Sequence, residues 1–141
     1  SHPSGDLNAQ YRSIPDLAHN FVLQAVFEGS PCAREEIEEK LEDARAKRRL
    51  SQPSGASAGC IFKNPEEIPA GKLIDELGLK NACVGDACVS SVHANFIINR
   101  GHARARDITI LIDMIRKEAM ENRGIDLKSE AQVIGDREPQ F

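Results

Sequence analysis

The strongest constraint on the fold is an apolar face that recurs at helical spacing between Ala105 and Asn122. It is formed by Ile108, Leu111, Ile112, Ile115 and Ala119. Side chains three and four residues apart lie on one side of an α-helix, so this face must pack against a second apolar surface. Aromatic residues make up only 4% of the sequence and there is no tryptophan, so aliphatic side chains must supply that surface. We predict a long helix on an aliphatic core, ended by Gly124.

The composition is that of an ordinary globular domain. The chain has 141 residues, of which 40% are apolar and 28% charged, which is enough for one domain with a real core. The formal charge of -4 argues against a general nucleic-acid binder. No apolar run approaches the roughly 20 residues of a membrane-spanning helix, and no signal-peptide core stands near the start. We therefore expect a cytosolic protein with neither nucleic acid nor membrane as partner.

The remaining patterns predict short strands between helices. We expect strands at residues 21–28, 96–98 and 125–134, a brief one at 83–84, and helices at 33–50 and 69–77. The 33–50 helix has a thin apolar stripe, which is typical of a surface position, while residues 51–59 form a Pro/Gly/Ser/Ala linker. This order predicts an α+β fold, with helices packed against a small mixed or antiparallel sheet.

The four cysteines leave two readings open. Cys32, Cys60, Cys83 and Cys88 are expected to be reduced thiols, because no export signal points to an oxidising compartment. Cys83, Cys88 and His93 follow one another at intervals of five, which suggests zinc. Structural zinc sites favour closer cysteine pairs, so a zinc-stabilised interaction domain is the weaker alternative and we expect no metal.

The segment SAGCIFKNP, residues 57–65, is the best site candidate. Gly59 would let a ligand approach the backbone closely, and the neighbouring Cys60 thiol could donate a proton. Lys63 and Asn64 could hold an anionic, hydrogen-bonding ligand. Each feature also has a structural explanation. Cys60 could be a small buried residue of the core, and Lys63 and Asn64 could simply form a turn before Pro65.

Glu130 is a second candidate, further along the chain. It falls inside the predicted 125–134 strand, where burial would raise the pKa of its carboxyl and make it a proton donor. A solvated strand face would explain the same pattern. From the residues alone, the chain is a cytosolic α+β domain with one unusual loop.

Four motifs together resemble a known family. SAGCIFKNP, PAGKLIDELGLK, VGDACVSSVHANFIIN and SEAQVIG follow the order and spacing of the C-terminal half of UDP-N-acetylenolpyruvoylglucosamine reductases. YRS, VLQAVFE and ARAKRRLSQPSG resemble the stretch before that half in the shorter form, which lacks an extra substrate-binding loop. The resemblance implies a C-terminal substrate-binding and catalytic domain at 57–135, preceded at 8–56 by the end of another region with a strand and a surface helix. Residues 1–7 would be a tag remnant or disordered tail, and 136–141 a tail.

The resemblance also implies a reaction. The family's members are FAD flavoproteins of peptidoglycan synthesis that reduce UDP-N-acetylglucosamine enolpyruvate to UDP-N-acetylmuramate with NADPH. Hydride from the reduced flavin goes to the terminal carbon of the enol ether, and a serine of the SAGSxFKNP motif protonates the neighbouring carbon. A glutamate near the C-terminus and an arginine of the flavin domain stabilise the intermediate.

Carried over residue by residue, the resemblance assigns roles within this chain. Cys60 stands at the serine position, where a thiol should still donate a proton because it is a stronger acid than a hydroxyl. Glu130 stands at the glutamate position, whereas Gln132 replaces an arginine common in the family. The implied substrate contacts are Lys63, Asn64, Asn95 and Gln52, and Gly59 is the implied cofactor contact.

The flavin domain has no counterpart in this sequence. The resemblance therefore implies a fragment whose missing partner is that domain, and we expect the chain alone to bind no FAD and to oxidise no NADPH. A non-catalytic module that binds a UDP-sugar is the alternative from a different functional class.

Overall fold

The computed structural model describes residues 7–17 and 19–134. They divide into two compact units, Ser1–Ile37 and Glu38–Phe141. The predicted tails at 1–7 and 136–141 lie almost entirely outside the described residues. The first unit contains a short 3-10 turn at Pro15–Leu17 and is otherwise mostly irregular.

The strand predicted at residues 21–28 is wrong. The segment is irregular, and the side chains of Phe21, Leu23, Val26 and Phe27 are 89 to 95% exposed. Alternating apolar residues create two faces, but a strand forms only when its backbone pairs with another strand. No strand in the described part of the chain pairs with this segment.

The first helix, α1, spans Arg34–Ser51 and confirms the predicted surface helix. None of its residues is buried, and its most apolar members, Ile37 and Leu41, are nearly half exposed. Acidic residues occupy its first turn and basic residues its last, which is the order that the helix dipole favours. Local charge and helix propensity therefore account for α1 better than burial does.

Four short strands form one antiparallel sheet. They are β1 (Ala56–Cys60), β2 (Cys83–Val84), β3 (Ala87–Val89) and β4 (Phe96–Asn99), in the spatial order β1-β4-β3-β2. The α+β prediction is confirmed, as are the strands at 83–84 and 96–98. The linker predicted at 51–59 is partly wrong, because its last residues form the strand β1, which pairs with β4. The strand β3 was not predicted. The small residues of β1 and β3 have a low intrinsic preference for strands, and both segments become strands by pairing with β4.

Two further helices cover one face of the sheet: α2 (Ala70–Glu76) and α3 (Ala105–Arg123). Both confirm predictions, and Gly78 and Gly124 follow them with positive φ angles of 73° and 67°. At the start of α3, the Arg104 N–H donates to the Asp107 carboxylate at 2.8 Å. The core between helices and sheet includes Leu73, Ile74, Leu111, Ile112, Ile115, Ala119, Ala87, Val89 and Ile97.

The strand predicted at 125–134 is also wrong. The segment is irregular, and its described contact of strand type is a single bridge between Ser129 and Phe62. Its apolar residues differ widely in burial: Leu127 is fully buried in the core, whereas Ile134 is 94% exposed. The alternation in the sequence therefore does not mark a strand here. Among the described residues, no helix has the length and apolar content needed to cross a membrane.

Candidate functional site

A β-bulge at Gly59 sets the direction of Cys60. Ser57 pairs with Ile98 and Cys60 with Phe96, so two residues of β1 lie opposite one residue of β4. Gly59 has a φ of 81°, a left-handed conformation that only glycine adopts readily. The extra residue places Cys60 on the same face of the sheet as Ser57, whereas regular alternation would have turned it to the other face.

This face is not the one that packs into the core. Residues paired across antiparallel strands share a face, and Ile97 and Val89 occupy the face that lies in the core. Cys60 and Phe96 therefore lie on the opposite face, where Cys60 is half-buried. The thiol is outside the core, contrary to the plainer reading of a buried cysteine.

Cys60 borders an open groove of about 340 Å³. The start of α2 and the loop before β4 supply its other walls, and it is lined by Asn64, Pro69, Gly71, Lys72, Asp75, Lys80, Val92, His93, Ala94 and Asn95. Lys80 forms an ion pair of 2.6 Å with Asp75, while Lys72 lies 3.8 Å from Glu76. The groove is therefore polar, with two ammonium groups, a thiol and the carboxylate of Asp75 among its lining groups. Both lysines lie in the motif PAGKLIDELGLK, but the sequence analysis did not single them out as candidate site residues.

The wall formed by α2 is packed tightly against His93. A Cβ added to Gly71 would lie 2.7 Å from His93 Cε1, so only glycine fits there without a shift. The His93 Nδ1 accepts the Asn95 N–H at 3.2 Å. The ring also meets Phe96 edge-on, with centroids 5.0 Å apart. His93 is therefore held on several sides beside the groove.

Asn95 holds the chain immediately after Cys60. It is 2% exposed, its Oδ1 accepts the Phe62 N–H at 2.9 Å, and its Nδ2 donates to the Phe62 carbonyl at 2.8 Å. Its own carbonyl accepts the Ile61 N–H at 2.9 Å. Leaving either backbone group of Phe62 buried and unpaired would cost about 1–3 kcal/mol. The carboxamide of this predicted substrate contact is thus engaged by the protein itself.

Glu130 lies beside the same segment. Its N–H donates to the Ile61 carbonyl at 2.7 Å, and the Lys63 N–H donates to the Lys128 carbonyl at 2.9 Å. The structure thereby brings the backbones of the two predicted acids, Cys60 and Glu130, close together although they are far apart in sequence. Glu130 is half-buried on irregular chain, not on a strand.

The other predicted substrate contacts divide into two groups. Asn64 lines the groove, and its Oδ1 accepts the Ala70 N–H at 3.0 Å, which fixes the start of α2. Gln52 lies at the end of α1, where its Oε1 accepts the Arg48 Nε–H at 3.1 Å, and it is not among the residues that line the groove.

The cysteine prediction needs correction. Cys83 and Cys88 form a disulfide, whereas Cys32 and Cys60 are not disulfide-bonded. The two cysteines lie directly opposite each other in the β2–β3 hairpin, at a position between ladder hydrogen bonds where side chains come closest. Their spacing in sequence does not reveal this register. The disulfide leaves neither sulfur of this pair as a thiolate ligand for zinc. The described residues contain no cluster of three His, Cys, Asp or Glu side chains that could hold a metal ion.

Comparison with known proteins identifies the family. The sequence model described as UDP-N-acetylenolpyruvoylglucosamine reductase, C-terminal domain, matches residues 51–134. The chain belongs to this family. The family resemblance predicted from the motifs is therefore confirmed.

Curated reductases of this family match almost the whole chain. The UDP-N-acetylenolpyruvoylglucosamine reductase of Syntrophus aciditrophicus is 39% identical over 132 residues, which are 93% of this chain and 42% of that protein. The enzyme of the same name from Geotalea uraniireducens is 42% identical over 131 residues, covering 92% of this chain and 44% of that protein. The chain thus spans about two fifths of the length of these reductases.

A solved reductase shares the fold. The crystal structure of UDP-N-acetylenolpyruvylglucosamine reductase from Thermus caldophilus superimposes with a TM-score of 0.61 at 42% identity, covering 71% of this chain and 35% of that one. The α+β fold is therefore that of the reductase C-terminal domain.

Proposed function

We propose that this chain is the substrate-binding and proton-donating part of a bacterial cytoplasmic UDP-N-acetylenolpyruvoylglucosamine reductase. The reaction converts UDP-N-acetylglucosamine enolpyruvate to UDP-N-acetylmuramate for peptidoglycan synthesis, with FAD and NADPH. Family membership supports the reaction class. The observation that carries the assignment to residues is the backbone pairing that joins the Cys60 segment to Glu130.

Reduction of the enol ether adds a hydride to its terminal carbon and a proton to the neighbouring carbon. When bound, FAD supplies the hydride that originates from NADPH. Cys60 gives its S–H proton to the neighbouring carbon and keeps the bonding electrons as a thiolate, which solvent then reprotonates. A free thiol has a pKa of about 8.5, so a cysteine is mostly protonated at neutral pH and able to act as this acid.

Glu130 supports the step as a hydrogen-bond donor. Between hydride and proton transfer, negative charge spreads from the carbon skeleton onto the substrate's carboxylate. In the proposed role, the carboxyl group of Glu130 donates a hydrogen bond to that charge, and this stabilises the intermediate most if the group is already held in position. Its backbone bond to Ile61 supports such a fixed position.

The residues around the bulge are compatible with a bound flavin. Gly59 has no side chain, and a Cβ built there would have no atom within 4 Å. A flat ligand therefore has room to lie against the Gly59 backbone. On the groove side, Lys72 and Lys80 suit the diphosphate and carboxylate groups of the substrate. Lys63 and Asn64 remain proposed substrate contacts beside them.

Substitution of Cys60 tests the proposal in an enzyme that joins this chain to a flavin-binding region. In Cys60→Ala, we expect NADPH to reduce the flavin at the normal rate, while reoxidation by the enolpyruvate substrate slows by about 10²–10⁴-fold. Cys60→Ser keeps a proton donor and should retain much more activity than Cys60→Ala. Cys32→Ser is the matched control and should change neither half-reaction. Substrate-dependent reoxidation at the normal rate in Cys60→Ala would show that Cys60 is not the proton donor, whereas substrate binding without any flavin reoxidation in the unsubstituted enzyme would favour a non-catalytic UDP-sugar-binding module.

A further inference from the structure

Phe62 has backbone groups that the sheet does not satisfy. It lies opposite Ser129 in a single antiparallel bridge, whose two hydrogen bonds use the Ile61 carbonyl and the Lys63 N–H. In this pattern the N–H and carbonyl of Phe62 itself point to the other side. Phe62 is 1% exposed, so water does not reach these groups easily and a protein partner is required.

The carboxamide of Asn95 supplies that partner. One side chain provides both an acceptor and a donor, and so replaces the peptide group of a neighbouring strand. The backbone of Asn95 adds a third bond, from the Ile61 N–H to its carbonyl. Ile61 in turn accepts the Glu130 N–H, so one residue holds the segment that connects Cys60 with Glu130.

We infer that Asn95 is a positioning residue for proton transfer, a role that rests on the proposed function of Cys60 and Glu130. Asn95 borders the groove, but each polar atom of its carboxamide is already bonded to Phe62. It therefore acts on the reaction through the Phe62 backbone and not by contact with the substrate. This reassigns a residue that the sequence pattern suggested as a substrate contact.

Amide hydrogen exchange on the chain itself tests the inference without any flavin. In Asn95→Ala, we expect the amides of Phe62 and Glu130 to exchange about tenfold faster or more, beyond the change in global stability. Asn99→Ala is the matched control, because the Asn99 Oδ1 accepts the N–H groups of Gly101 and Ala103 in a loop away from Cys60. That control should leave Phe62 and Glu130 protected. If Glu130 keeps its protection in Asn95→Ala, Asn95 does not couple the two acids and the inference fails.

An isosteric variant keeps the test decisive if Asn95→Ala does not fold. In Asn95→Asp, a protonated carboxyl group can both accept from the Phe62 N–H and donate to the Phe62 carbonyl, whereas a carboxylate can only accept. Burial raises the pKa of such a carboxyl group, so we expect the protection of the Glu130 amide to return on mild acidification, when the bond to the Phe62 carbonyl can form again. Equal loss of protection at every pH would contradict the inference.

Kinetics in the flavin-containing enzyme separate positioning from substrate binding. For Asn95→Asp at a pH where its carboxyl group is ionised, a positioning role predicts a fall in kcat of about 10–100-fold, with KM for the enolpyruvate substrate nearly unchanged. A higher KM with normal kcat would instead make Asn95 a substrate contact and overturn the inference. Full activity of Cys60→Ala would refute the proposed function, while the exchange data would still report what Asn95 does to the backbone.

Discussion

The backbone N–H of Glu130 donates a 2.7 Å hydrogen bond to the carbonyl oxygen of Ile61. Ile61 directly follows Cys60, so this bond joins two proposed acids whose positions differ by about seventy in the sequence. The two residues are placed in different ways. Cys60 ends a bulged strand, Glu130 lies on irregular chain, and the connection between them is made by main-chain atoms.

Gly59→Ala should destabilise the second unit. The φ of 81° disfavours any side chain at this position, and straightening the backbone would remove the bulge that directs Cys60. We expect the free energy of unfolding to fall by about 1–2 kcal/mol, measured by urea denaturation. Gly29→Ala is the control, since Gly29 has no positive φ and no atom within 4 Å of an added Cβ. Equal stability of the two variants would argue against the bulge.

Gly71→Ala should destabilise through a clash with His93. The added Cβ would lie 2.7 Å from His93 Cε1, and displacing the ring or α2 should cost about 1–3 kcal/mol. In a His93→Ala background the clash is gone and alanine is the better helix former, so the same substitution should become neutral or stabilising. A double-mutant cycle measured by thermal unfolding checks this, and simple additivity would rule out the contact.

Leu127→Ala should be strongly destabilising although Leu127 lies on irregular chain. Its side chain is fully buried in the core, so truncation should lower the free energy of unfolding by about 2–5 kcal/mol. Ile134 is 94% exposed, and Ile134→Ala should change stability by less than about 0.5 kcal/mol in the same denaturation experiment. A small effect at Leu127 would show that the segment after α3 is not anchored there.

Reduction should weaken the β2–β3 hairpin only modestly. Cys83 and Cys88 are five positions apart, and a loop this short restricts the unfolded chain by about 2 kcal/mol in the entropy model. Titration of the unfolded, oxidised protein should find two reactive thiols, Cys32 and Cys60, and four after reduction. A variant carrying Cys83→Ser and Cys88→Ser should be insensitive to the reductant. Four thiols without any reductant would mean that the pair is not bonded.

Asp126 should contribute to stability above the acid range. A hydrogen bond from Lys128, supported by Arg116, holds the pKa of its carboxyl below the ordinary value. A pKa that is lower in the folded state stabilises the protein above the unfolded pKa of about 3.9, and this contribution disappears as the pH falls through the folded pKa. We expect Asp126→Asn to lose stability at neutral pH and to decline less on acidification.

The matched background for the Asp126 prediction is Lys128→Gln, which removes the principal cause of the shift. In that background, Asp126→Asn should have a smaller effect on the pH dependence of urea denaturation. An unchanged effect would assign the shift to another group.

The elements predicted correctly are those whose signals are local. The two long helices, α1 and α3, show helical periodicity and favourable end charges, and Gly124 ends the second. The family motifs likewise lie in continuous segments, which is why SAGCIFKNP points to Cys60 from neighbouring residues alone.

The errors arose where pairing or anchoring by distant residues decides the outcome. Residues 21–28 and 125–134 alternate like strands, yet the described structure pairs neither as a strand of the sheet. The small residues of β1 and β3 alternate poorly, yet they pair with β4. A strand forms its backbone hydrogen bonds with another segment of the chain, so the residue pattern within one segment does not show whether a partner strand exists.

The sequence by itself determined the family, the helices and the thiol at position 60, because each of these depends on residues that are close together in the sequence. Only the tertiary structure decided which face of the sheet carries Cys60, which backbone Glu130 meets, and that Asn95 bonds to Phe62. These relationships depend on the register across β4 and on hydrogen bonds between segments far apart in the chain. They are set by packing, in which every buried backbone group must find a partner.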